Sequence, residues 1–179
     1  MTDMTRQDRK DLIDVAKLRV RIAKAGVAAR EEDLLAKVEE DLSAIYDPKD
    51  AAWREIVDDA QARVNEANAQ ISAVCEERGI PQRFRPLLMT SWVGRGETMF
   101  KDRREELRKL AQARIKAAGS RAKVEIDMKG AEALTALVAA TLETEEARQW
   151  LEKIPTPAEL MPPVNVAELE SGVPSRVRQ

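Results

Sequence analysis

The stretch WREIVDDAQARVNEANAQISAV, residues 53–74, decides the fold. Trp53, Val57, Ala60, Val64, Ala67, Ile71 and Val74 alternate by four and three residues with no charged member among them. That spacing keeps seven apolar side chains on one stripe of an α-helix, the stripe by which one helix meets another. Ala60 and Ala67 take equivalent positions and leave room for close approach of a partner helix. Gly79 follows as a left-handed C-cap, Ile80 as the residue that packs back on the last turn, and Pro81 as a block to continuation. These seven seam residues are the expected oligomerisation surface.

Upstream, Val15, Leu18, Ile22 and Ala25 form one apolar stripe, and Leu35, Val38, Leu42 and Ile45 form another that is out of register with it by one residue. The slip falls around Gly26 to Arg30, and an imperfect but continuous helix from about Asp8 to Tyr46 accounts for it. Asp47 as N-cap, Pro48 at the first helical position and Asp50 in the first turn then predict a connection and a new helix. Residues 1–78 are thus expected to form an antiparallel helical hairpin. Two thin seams supply little buried area for a chain of 179 residues, so self-association is expected as well.

Composition agrees with elongated helical packing. Of the 44% apolar residues, 27 are alanine and only six are Trp, Tyr or Phe, which fill thin seams better than thick cores. The polar Met1 to Lys10 stretch reads as neither a signal peptide nor a membrane span, and a cytoplasmic location is expected. Cys75 is the only cysteine and sits at an apolar helical position, where it reads as a small core hydrophobe. With no histidine, the chain lacks the commonest general base and the ligand set of an ordinary zinc site. Adjacent carboxylates such as Glu39 and Glu40, or Asp58 and Asp59, do not converge on one helix face. No catalytic residue, metal or cofactor is expected.

Residues 79–97 form a connector rich in Arg, Trp and Gly. Phe84, Leu87, Leu88 and Trp92 suffice for a small apolar cluster docked on the hairpin. Gly94-Arg95-Gly96 reads as a tight turn, or as a loop whose N–H groups and Arg95 guanidinium hold an anion. It lacks the spacing of a nucleotide-binding loop.

From Thr98 the chain returns to helix, with Phe100, Leu107, Leu110, Ala111, Ile115 and Ala118 on one side and Lys101, Arg103, Arg104, Arg108, Lys109, Arg114 and Lys116 around the rest. Charge is strongly segregated: residues 78–129 hold 14 basic and 6 acidic side chains, residues 31–66 hold 4 and 12, and residues 131–170 hold 2 and 8. The basic segment, with Arg95, is therefore the candidate anion- or nucleic-acid-binding surface. It can equally pair with the acidic stretch of its own or a neighbouring chain.

Ala122, Val124, Ile126 and Met128 alternate with charged residues between Gly119 and Gly130. Helix and a strand paired between subunits are both open there. A strongly apolar helix with Leu134, Leu137, Val138 and Leu142 follows, then a shorter one capped by Thr144. Thr156, Pro157 and Glu159 make a capping box that Pro162 and Pro163 soon end. Trp150, Leu151, Leu160 and Met161 are the expected docking anchors of this region, residues 98–170, on the protein's own core or on a partner. Residues 171–179 read as a flexible tail.

The expected fold is all-α, and the expected function is that of a non-enzymatic oligomeric assembly or adaptor protein, a structural component of a larger particle. The alternative is a nucleic-acid-binding assembly protein. An oligomerising helical hairpin with a basic face and an intersubunit strand resembles, in general plan, the small terminase subunits of tailed phages. That resemblance implies recognition of viral DNA during packaging, although the helix-turn-helix usual at their N-terminus is not evident here.

Overall fold

A computed structural model describes residues 5–89, 95–139 and 144–172, the side chains of 95–99 and of 144 excepted. The described residues are all-α, with no strand. A long helix α1 (Arg6–Glu77) is followed by a 3-10 turn (Gln82–Phe84), a second long helix α2 (Arg95–Val138) and three short helices, α3 (Thr144–Glu152), α4 (Pro157–Leu160) and α5 (Val166–Gly172). The chain forms two compact units: the first holds Met1–Glu40 with Leu107–Gln179, the second Asp41–Glu106.

In the first unit, α1 and α2 pack antiparallel. Gly130 faces Val20 and Gly119 faces Glu31, while Lys24 pairs with Asp127 at 2.7 Å and Arg108 with Glu39, so one residue number rises as its partner's falls. The spacing that builds this seam is eleven residues. Ala16, Val27 and Val38 repeat at that interval on α1, as do Ala111, Ala122 and Ala133, and again Ile115, Ile126 and Leu137, on α2, all of them buried. Eleven residues in three turns is a slightly longer period than that of a straight helix, and it favours a gentle right-handed coil. Ile115, Ile126 and Leu137 each contribute on the order of 2 kcal/mol by leaving water.

One expectation fails on this seam, and one open alternative closes. The stripe Val15, Leu18 and Ile22 is 40%, 50% and 62% exposed, and Ala16, Ala23 and Val27 are buried in its place. Close approach selects the small side chains, because α1 runs against a helix position, Gly130, where an added Cβ would overlap the Val20 side chain. Residues 122–128 are helix, not an intersubunit strand. Their alternation arises because Ala122 and Ile126 lie four apart on the buried side while Val124 and Met128 lie four apart on the exposed side.

The second unit holds the other correction. The hairpin turn expected at Tyr46–Asp50 is absent, and α1 runs through Pro48 without a break. An interior proline costs about 3 kcal/mol through its missing N–H and its ring. Packing on both sides offsets that: Leu42, Tyr46 and Val57 are buried, and Asp47, expected as an N-cap, instead accepts from Arg104 at 2.7 Å. The end of α1 matches expectation. Gly79 has φ +69°, its N–H donates to the Glu76 carbonyl at 3.0 Å, and the Ile80 N–H donates to Cys75 at 2.9 Å, together a Schellman closure.

Candidate association surfaces

The stripe Trp53–Val74 lies on the C-terminal half of α1, within the second unit. Val57 is buried, Trp53, Ala60, Val64, Ala67 and Ile71 are half-buried, and Val74 is exposed. Among the described residues, eighteen of the 22 buried apolar residues belong to the first unit; the second has Leu42, Tyr46, Val57 and Cys75. The stripe is thus a regular apolar seam that the second unit leaves mostly half-covered. The Trp53 indole N–H is out of solvent and has no acceptor. Cys75 is buried and free, as a small hydrophobe on the neighbouring face.

The basic residues divide by what they touch. Arg103 pairs with Glu106 at 3.0 Å, and Arg104 bonds Asp47 at 2.7 Å and Ser43 at 2.9 Å. Arg108 reaches Glu39 through two nitrogens at 2.5 and 3.2 Å. At least three of the seven candidate cations are therefore engaged by carboxylates of the chain itself, and two of these carboxylates belong to the acidic part of α1. Arg114 lines an open groove of about 860 Å³ in the first unit, between α2 and the Leu160–Glu168 segment, with Arg121 on the same wall. Lys116 is exposed on α2, where Lys109 is exposed as well. Arg95 opens α2 with only its backbone described; Trp92 and Gly94 lie outside the described residues.

The four docking anchors settle on their own unit. Leu151 and Met161 are fully buried, and Trp150 and Leu160 are half-buried. Ala147, Leu151 and Ile154 join Ala16, Ala133 and Leu137 in one core cluster, against which Leu12, Ile13, Val20, Leu134 and Trp150 pack. Two arginines that the sequence did not single out hold this strap. Arg19 donates to the Leu151 carbonyl at 2.9 Å, and Arg30 donates to the Met161 carbonyl at 3.1 and 3.3 Å. Both carbonyls close short helices, where unpaired backbone oxygens and the helix dipole attract a cation. Arg19 and Arg30 stand eleven residues apart, so the seam's own repeat was the signal for them. Gly26 lies between them, and a Cβ added there would come within 3.3 Å of the Pro157 ring.

Carboxylates near two helix starts are tuned by capping. The Asp8 side chain accepts from the Thr5 hydroxyl and from its N–H at 3.0 Å, and these bonds hold its carboxyl below the ordinary value. Glu159 accepts the Thr156 N–H at 2.7 Å and is lowered for the same reason, which bears out the capping box. Lys129 is raised by its bond to Glu132. No group of three or more His, Cys, Asp or Glu among the described residues is placed to hold a metal ion. No helix among them is long and apolar enough to cross a membrane.

Two further apolar surfaces stand open among the described residues. In the second unit, the connector displays Phe84, Leu87 and Met89 at 65%, 69% and 83% exposure, so it is not the docked cluster expected of it. Asn68 explains why: its side chain accepts the Leu88 N–H at 2.8 Å and donates to the Leu88 carbonyl at 3.0 Å, fixing the backbone on α1 while leaving the side chains outside. In the first unit, Met128, Ala131, Thr135 and Ala136 of α2, Ala139 just past its end, and Trp150 of α3 line an open groove of about 680 Å³. Compared with protein-family models, with curated proteins and with solved structures, the chain matches none.

Proposed function

We propose that this chain is a non-enzymatic helical assembly or adaptor protein that associates with copies of itself through the Trp53–Val74 face of α1. The observation that carries the proposal is the unequal burial of the two units. A regular seam of seven apolar residues stays half-covered in the second unit while eighteen apolar residues are closed off in the first. A second helix laid on that seam removes the remaining apolar surface from water.

The pattern of ion pairs supports protein association over phosphate binding. Arg104 and Arg108 are committed to Asp47 and Glu39, so the segregated charges of the sequence serve in part to fasten α2 to α1. A cytoplasmic setting fits a chain whose one thiol is free and buried. The test is sedimentation of the full chain beside a Val64→Asp variant. At moderate salt, a carboxylate in the middle of the seam is expected to reduce the particle to a single chain without loss of helix, because Val64 is only half-buried within its own unit. Wild-type protein that already sediments as a single chain refutes the proposal.

A further inference from the structure

We infer that the exposed connector Arg78–Met89 of one copy docks in the α2–α3 groove of a second copy, as a head-to-tail contact separate from the Trp53–Val74 seam. The two surfaces are complementary in apolar character and charge. The connector is exposed and apolar, with Phe84, Leu87 and Met89 outside and its backbone held by the Asn68 clamp. The groove is open, and its small side chains Ala131, Thr135, Ala136 and Ala139 leave room beside the larger Met128 and Trp150. A methionine such as Met89 packs favourably at the edge of an indole.

Charge indicates which chain supplies the occupant. Residues 78–89 carry Arg78, Arg83 and Arg85 and no acidic residue. Arg85 is spent on Glu76 at 2.8 Å, whereas Arg78 is exposed and Arg83 lies over the Phe84 ring at 4.7 Å. The groove belongs to the most acidic part of the C-terminal half, residues 131–170, with 8 acidic and 2 basic side chains. Glu132 lines it, and Glu146 stands exposed one turn before Trp150. Lys129 pairs with Glu132 at 2.9 Å and Lys153 covers a face of Trp150 at 3.6 Å, so the exposed Glu146 and the net acidity of residues 131–170 carry the attraction for a connector arginine. Both halves of the complement are carried by this one chain, so a second copy is the occupant. A contact between two different patches is heterologous, and it extends an assembly instead of closing it as a two-fold pair.

A charge swap on the full chain tests this independently of the seam. Arg78→Glu with Arg83→Glu makes the connector acidic against an acidic groove, and Glu132→Lys with Glu146→Lys makes the groove basic against a basic connector. All four residues are exposed, so neither variant threatens the fold. Wild-type protein is expected to show a heavier species at low salt that diminishes at moderate salt. Each variant alone is expected to lose that species. The equimolar mixture is expected to regain it, because every connector then finds a groove of opposite charge. Absence of a salt-sensitive species in the wild type, its persistence in either variant alone, or failure of the mixture to regain it overturns the inference. Val64→Asp lowers the mass at every salt concentration if the seam associates, so the two contacts fail separately.

Discussion

Gly130→Ala and Gly119→Ala look like the same substitution, an interior helix glycine replaced by the best helix former, yet the structure predicts opposite signs. Each gains about 1 kcal/mol of helix propensity. At Gly130 the new methyl overlaps Cγ2 of Val20, a β-branched side chain with one favoured rotamer in a helix. Relief requires shifting α1 or α2, and overpacking of this kind costs about 1–3 kcal/mol. The net effect is destabilisation by up to about 2 kcal/mol. At Gly119 the overlapping atom is the carboxylate end of Glu31, which can swing aside. The propensity gain survives there, and stability rises by up to about 1 kcal/mol. Urea unfolding followed by helical circular dichroism measures both. If Gly130→Ala stabilises the protein as much as Gly119→Ala does, α1 and α2 do not approach as closely as described, and the eleven-residue seam is wrong.

Arg19→Ala and Arg30→Ala are each expected to cost about 1.5–3 kcal/mol of local stability, the range for a hydrogen bond to a charged group. The loss should appear as faster amide exchange in α3 for Arg19 and around Met161 for Arg30, with the α1–α2 seam unchanged. The lowered carboxyls fix the sign of one pH effect. Their capping is fully present above the ordinary values of 3.8 for Asp8 and 4.5 for Glu159, and it is lost as pH falls through their lower folded values. Amide exchange near Thr5 and Thr156 should therefore stay slow at neutral pH and rise only in acid. Lys129 has the opposite sign: its bond to Glu132 is kept below 10.5 and lost as pH rises through the higher folded value. Asn68→Ala removes both bonds that fix Leu88 and should free the connector backbone to exchange faster while α1 stays helical.

The features legible in the sequence were those decided locally. Gly79 with Ile80 and Pro81, and Thr156 with Glu159, need only their own few residues to end and start helices, and both behave as their chemistry dictates. The docking of Leu151 and Met161 was legible too, because apolar residues on a short amphipathic turn have little else to do. The face by which α1 meets α2 was not. Hydrophobicity ranks Val15, Leu18 and Ile22 above Ala16 and Ala23, whereas close helix approach reverses that ranking, and only the matching interval of Gly119 and Gly130 on the other helix discloses it. Pro48 misleads for a related reason: its local preference is for a helix start, and the tertiary anchors Leu42, Tyr46 and Val57 override it. The connector's exposure depends on a clamp from Asn68, twenty residues away in sequence, which no local pattern indicates.

The native mass of the full chain across micromolar concentrations tests the central claim most directly. A particle heavier than the 20.0 kDa of one chain, reduced toward that mass by Val64→Asp with helix content preserved, is the predicted result. A wild-type particle of 20.0 kDa at every concentration contradicts it and leaves the half-covered Trp53–Val74 seam without the partner on which this account depends.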